Sequence, residues 1–265
     1  MFHFELYMKK NALVIAEIHS EEYDFKKIAN LLKFKPDILI VEGPFDQMNS
    51  KRKNIIEDFL KSYPTFSKSF FLNIDKNEYL KLKGIPKDLK VYGIEDLNLA
   101  SFRSAITLLC KNYYEIDDQS SKQLFSNDEK ELEKEIRILF EEYRSKFVPL
   151  HSYLIKLSNE RTYTKNEKKL IEWQASVVQS IIKQMDSAIR EGKSLYQLTF
   201  LNQLRVTDIF EKQFYYHSHS TRNKIFVDSL TNIYSNYDNI GVIVGADHSK
   251  FIANNLRRMN YNIIY

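Results

Sequence analysis

Two segments more than two hundred residues apart say nearly the same thing, and that repetition constrains the fold more than any other feature of the chain. Residues 14 to 32 read VIAEIHSEEYDFKKIANLL, and residues 242 to 256 read VIVGADHSKFIANNL. Each passes from an apolar run through a small-residue turn to a His-Ser pair, then into helical spacing that carries Ile-Ala-Asn, one residue and Leu. An apolar run without polar alternation suits a strand buried on both faces, and such strands belong to parallel sheets with right-handed helical crossovers. Both ends of the chain are therefore expected in one α/β sheet, with His19 and His248 at matching places just past a strand end.

Apolar runs at 37 to 41 (DILIV) and 89 to 96 (LKVYGIED) predict two more strands, and NYNIIY at 260 to 265 a closing one. Helical spacing covers 24 to 33, 50 to 62 and 248 to 259. The middle of the chain reads differently. Leu132, Ile136, Leu139, Tyr143, Phe147, Leu150, Leu154 and Leu157 recur at spacings of three and four, which is one buried helical stripe. Pro149 is expected to bend or interrupt that helix near Val148. A second stripe follows at Ile171, Ala175, Val178, Ile182, Met185 and Ile189, opened by Thr164 with Glu167 three residues on and stopped by Gly192. Helical spacing returns from about 195 to 216 and from 222 to 234. The expected architecture is a single α/β domain over 1–265. Its mostly parallel sheet is built from amino- and carboxyl-terminal half-repeats, with a large helical insertion over 97–236.

Composition narrows the function classes. A chain of 265 residues buries a full core, and 43% hydrophobic with 28% charged residues excludes disorder. The net charge of +4 is dispersed among nearly as many acidic residues, which argues against a nucleic-acid partner. No stretch reaches the roughly 20 apolar residues of a membrane span. Cys110 is the single cysteine, so no internal disulfide forms. The start lacks the pattern of a signal peptide, and the expected compartment is the cytoplasm.

Side chains at the carboxyl ends of parallel strands converge where ligands bind. His19 and His248 each follow such an end, Glu42 ends the second strand, and Glu95 and Asp96 end the third. Imidazoles and carboxylates are the donors that zinc, manganese and similar divalent ions accept. The same set works without metal, one His acting as general base and a carboxylate orienting it. Both schemes stay open on sequence. Glu17 stands inside an apolar run, where an unpaired carboxylate costs several kcal/mol, so it needs a partner or a wet site. Asp247 reads as the cap of a helix that starts at Ser249. His217 and His219 would pair as ligands only on a strand, and the unalternating tract YYHSHSTRNKIF reads instead as a polar helix junction. Arg222 opens the next helix with a planar fork suited to an anionic group.

The elements AEIH (16 to 19), ILIVEGP (38 to 44), TRN (221 to 223) and GADH (245 to 248) together resemble the TraB/Tiki superfamily, which includes the erythromycin-esterase-like and ChaN-like proteins. VYGIED (91 to 96) is similar to a further strand of that family. The resemblance covers about the first hundred and the last fifty residues; the second Gly-x-x-His is complete, and in the first Ala16 replaces Gly. It implies an α/β fold of two related halves around a metal-dependent or metal-assisted hydrolase centre.

The expectation is a cytoplasmic hydrolase of peptide or small-molecule ester bonds. His19, Glu42 and His248 would hold a divalent metal (Mn, Co or Zn), with Glu17 as general base and Arg222 at the oxyanion. Without metal, His19 would be the base. Two alternatives come from other classes. One is a ligand binder of the same fold, such as a haem binder, for which the 17 tyrosines offer axial ligands. The other is an α/β scaffold whose helical insertion docks a protein partner.

Overall fold

The computed structural model describes residues 10–17, 25–42, 55–66, 86, 88–96, 98–110, 129–191, 216–233 and 236–265. In chain order the elements are β1 (Lys10–Glu17), α1 (Phe25–Phe34), β2 (Ile38–Val41), α2 (Ile55–Ser62), β3 (Lys90–Gly93), α3 (98–110), α4 (Glu129–Ser158), α5 (Lys165–Glu191), α6 (Tyr216–Ile233), β4 (Asn239–Gly245), α7 (Ala246–Arg258) and β5 (Tyr261–Ile264). The chain divides into two compact units, one of Met1–Lys53, Ile74–Leu97 and Arg222–Tyr265, the other of Asn54–Asn73 and Asn98–Thr221.

The first unit holds a five-stranded sheet in the order β3-β2-β4-β1-β5. Every strand pair in it is parallel, as the apolar runs predict. The strands of the two similar segments lie side by side, with Val14 opposite Val242 and Glu17 opposite Gly245. Alternation along the strands builds two apolar layers. Ala12, Val14, Ile38, Ile40, Ile240, Val242 and Val244 meet Phe226, Leu230 and Ile233 of α6 and Ile252, Ala253 and Leu256 of α7. Leu13, Ile15, Leu39 and Val41 face the other way, onto Leu31 of α1. Right-handed crossovers that run in opposite directions along a sheet place their helices on opposite faces, and α1 and α7 obey that rule.

In the second unit α4 and α5 pack on each other as paired helices, tied by Arg144 Nε donating to Asp186 Oδ1 at 2.5 Å. Phe147, Leu150, Leu154 and Leu157 are buried along α4, as are Ile171, Ala175, Val178 and Met185 along α5. The stripe positions 132, 136, 139 and 189 and the helical spacing from 195 to 215 lie outside the described side chains. Thr164 and Glu167 form the predicted capping box: Thr164 N–H donates to Glu167 Oε2 at 2.7 Å, and Glu167 N–H to Thr164 Oγ1 at 3.3 Å. Pro149 does not interrupt α4, which continues to Ser158. The buried neighbours Phe147 and Leu150 hold the helix through the hydrogen bond that proline cannot donate. Phe59, Phe102 and Tyr153 pack edge-on and stacked within 5.6 Å of one another, and Tyr153 Oη donates to Ile55 O. Among the described residues no helix is long and apolar enough to cross a membrane.

One glycine sets how closely α1 approaches the sheet. A Cβ on Gly241 would stand 2.6 Å from Leu31 Cδ1, 3.2 Å from Pro36 Cγ and 3.3 Å from Leu39 Cδ1. Leu31 is fully buried, and Pro36 and Leu39 crowd the same Cβ position. Gly241→Ala is expected to destabilise the protein by about 1–3 kcal/mol, the usual cost of overpacking, read as a lower urea midpoint at unchanged slope.

Candidate functional site

Strand order decides where side chains from different elements meet. From β2 the chain proceeds to β3 on one side, and from β4 it proceeds to β5 on the other. Between the carboxyl ends of these two neighbours the sheet has its switch point, the place where open parallel sheets leave a crevice. Glu42 follows β2 there. It continues the alternation of Ile38 and Ile40, so its carboxylate turns toward the layer covered by α6 and α7. His248 sits in the first turn of α7, directly after β4, and is 2% exposed. Arg222 reaches the same spot from the second turn of α6, which starts at Tyr216 rather than at Arg222 as expected.

Arg222 is the hub. Nη2 donates to Glu42 Oε1 at 2.6 Å and to Glu95 Oε2 at 3.2 Å, while Nε donates to Glu95 Oε1 at 3.1 Å. Nη1 lies 3.3 Å from His248 Nε2. The guanidinium also packs over the Phe226 ring, 5.2 Å from its centroid, and that ring meets the His248 imidazole edge-on at 5.1 Å. Glu42 is held on its other side as well, where Gly245 N–H donates to Oε2 at 2.6 Å. A Cβ on Gly245 would come within 2.9 Å of that oxygen, so the glycine of GADH is what lets the strand end approach the carboxylate.

The proton on His248 follows from its neighbours. Arginine carries donors only, so an imidazole nitrogen facing Nη1 must present a lone pair. His248 is therefore protonated at Nδ1, which lies 2.7 Å from Asn223 Oδ1 and donates to it. Nε2 also lies 3.7 Å from Glu42 Oε1, a contact that would count as an ion pair only with a charged ring. The shorter Arg222 contact sets the assignment as neutral imidazole. Burial alone would raise the Glu42 carboxyl; the Arg222 charge and the Gly245 hydrogen bond, with the charge of His248 wherever that ring is protonated, outweigh it and hold the group below 4.5. Arg222 is pushed the other way: burial would lower it, and the charges of Glu95 and Glu42 raise it further.

Of the residues expected at the site, Glu42, Arg222 and His248 come together. Glu17 is the last residue of β1, opposite Gly245, and its side chain lies outside the described set, as does His19 entirely. Glu95, expected only as one of several strand-end carboxylates, is a full partner of Arg222, and the sequence signal was its position after the apolar run of β3. Asn223 entered the sequence reading only as a letter of TRN. Asp247 does not cap the helix at Ser249: α7 starts at Ala246, straight off β4, and Asp247 lies in its first turn, where the helix dipole favours a negative charge. His217 and His219 fall in the first turn of α6, which runs unbroken from Tyr216 to Ile233, so the tract expected as a polar helix junction is itself helical there.

As donors, a lone-pair imidazole nitrogen and a carboxylate oxygen are of the kind divalent metals accept. Arg222 already donates to that oxygen and faces that nitrogen, so a cation bound between them would take over its positions. Among the described residues no group of three His, Cys, Asp or Glu stands close enough to hold a metal. The third ligand of the expected set, His19, lies outside them.

No protein-family model, curated protein or solved structure matches this chain. What defines it is its own geometry: a parallel α/β sheet with a buried carboxylate, arginine and imidazole cluster at the switch point.

The Glu42 shift makes a stability prediction. Its folded-state value lies below the unfolded 4.5, so its contribution is complete above pH 4.5 and is lost as pH falls through the folded-state value. Denaturation midpoints are expected to drop on acidification below about pH 4.5, and Glu42→Gln is expected to make that drop shallower.

Proposed function

We propose that the chain is a hydrolase of peptide or small-molecule ester bonds, with Glu42, Arg222 and His248 as the described part of its centre. The observation that carries this reading is the buried His248 imidazole, fixed at Nδ1 by Asn223, with Nε2 directed at the Glu42 and Arg222 cluster of the switch-point crevice. The resemblance of AEIH, ILIVEGP, TRN and GADH to the TraB/Tiki superfamily supports the same assignment.

Each residue has a chemical part in it. Nε2 of His248, whose lone pair faces Arg222 Nη1, would take a proton from water or hold a metal in place of that contact. Glu42 fixes the cation beside it and supplies negative charge next to the imidazole. Arg222 carries five N–H groups, and two carboxylates and His248 occupy four of their directions. Among the described residues the second N–H of Nη1 meets no acceptor, and it is the donor we assign to the developing oxyanion. Glu17, as general base, and His19, as third ligand, complete the proposed set from the sequence reading.

The proposal includes a divalent metal on His248, Glu42 and His19. When bound there it would supply a water whose pKa falls to roughly 7. The Nδ1 contact with Asn223 favours this version, because a ligating imidazole has its other nitrogen tied to an acceptor. The Arg222 contact at Nε2 favours the metal-free version, in which His19 or His248 is the base.

Wild-type protein purified without tag or chelator is expected to hydrolyse members of a peptide and ester panel. His248→Ala is expected to lose at least about 100-fold, the scale of removing a general acid–base group, with an unchanged circular dichroism spectrum. Undiminished turnover in His248→Ala would rule out this centre. Elemental analysis of the same samples separates the versions: about one metal ion per chain, lost in His248→Ala, supports the metal site. Turnover that survives complete chelation supports the metal-free scheme.

A further inference from the structure

Helix α6 grips the His248 ring at both nitrogens with two successive residues. Arg222 meets Nε2 at 3.3 Å, and Asn223 meets Nδ1 at 2.7 Å. One turn further, Phe226 closes the ring from the side, 5.1 Å away and steeply inclined. Two consecutive helical positions point about 100° apart, so a side chain from α7 that enters between them is reached from two directions. The geometry points to Asn223 as a positioning residue that sets the tautomer of His248 and keeps the Nε2 lone pair turned toward the Glu42 and Arg222 cluster.

The assignment is forced from one end. Nη1 of Arg222 can only donate, so Nε2 must accept and Nδ1 must carry the proton. Nδ1–H then needs an acceptor, and the only acceptor an asparagine side chain offers is Oδ1. The amide orientation and the ring tautomer are thus tied together: the guanidinium favours a lone pair at Nε2, and Oδ1 at the shorter distance holds the proton at Nδ1. Without Asn223 the ring would keep its packing against Phe226 but lose the acceptor that holds the Nδ1 proton, leaving only the longer Arg222 contact to distinguish its nitrogens. The alternative tautomer, with Nε2–H turned toward Glu42 Oε1 at 3.7 Å, would then compete. In that state Nε2 could neither accept a proton nor bind a metal. The consequence for turnover rests on the hydrolase reading; the tautomer itself does not.

Nitrogen NMR of histidine-labelled full-length protein tests this at a pH where the ring is neutral, with the His248 signals identified by their absence in His248→Gln. Wild type is expected to show a protonated-type shift at Nδ1 and an unprotonated-type shift at Nε2. Asn223→Leu, similar in shape but without an acceptor, is expected to lose that single pattern and give mixed tautomers. Asn223→Asp, which restores the acceptor, is expected to keep Nδ1 protonated. A wild-type ring protonated at Nε2 alone would overturn the inference whatever the variants do, and so would an unchanged pattern in folded Asn223→Leu. Because the readout needs no turnover, an inactive protein with the expected tautomer would remove the hydrolase reading and leave the positioning role standing.

Discussion

A carboxylate that continues the inward face of a buried strand has to be paired, and in this chain the pairing of Glu42 with Arg222 organises everything around it. Glu42 falls on the same side of the sheet as Ile38 and Ile40, a side otherwise filled by aliphatic and aromatic groups. Leaving it ionised and alone there would cost several kcal/mol. The guanidinium at 2.6 Å and the Gly245 amide at 2.6 Å remove that cost from two directions. Both contacts come from elements distant in sequence, so the ion pair also fixes the register between the end of β2, the end of β4 and helix α6.

The rest of the site follows from where Arg222 must stand. To reach Glu42 and Glu95 at once, it leans over Phe226, and the residue after it is brought against the His248 ring. A mobile lysine in that position would give a point charge without the fork that serves two carboxylates together. The sheet contributes rigidity: β4 is flanked by β1 and β2, and α7 starts directly after its last residue with no intervening loop. His248 is therefore carried on an element with little freedom, as a catalytic or ligating imidazole needs to be.

Much of this fold was legible in the sequence because its strands are buried on both faces and therefore read as uninterrupted apolar runs. ALVIA, ILIV and GVIVG all fall within parallel strands of one sheet. The strands within residues 14–32 and 242–256 are neighbours in the sheet. Strand ends also marked Glu42 and His248, since polar residues after such runs land at the carboxyl edge. Helix starts were harder to read. Asp247 looked like a cap because Asp before a Ser-led helix has cap chemistry, yet α7 leaves β4 so abruptly that Gly245 precedes it without a side-chain cap. Pro149 looked like a bend or a break, and α4 runs on through it to Ser158 because burial of its neighbours overrides the local penalty. Glu95 was marked only as one of several strand-end carboxylates and Asn223 not at all, because their roles depend on Arg222, and no periodicity in one sequence states which carboxylate or amide a distant guanidinium will meet. The order of the strands, and with it the switch point, was equally out of reach, because strand order is not encoded in any local pattern.

The central claim is that Glu42 and Arg222 are energetically one unit. A double-mutant cycle of Glu42→Gln and Arg222→Met, read by urea denaturation at neutral pH, measures it most directly. The account predicts that the single changes are each costly and the pair of changes costs less than their sum, with a coupling of roughly 1–3 kcal/mol. Additivity within about 0.5 kcal/mol would contradict it and reduce the cluster to independent polar residues that happen to lie near one another.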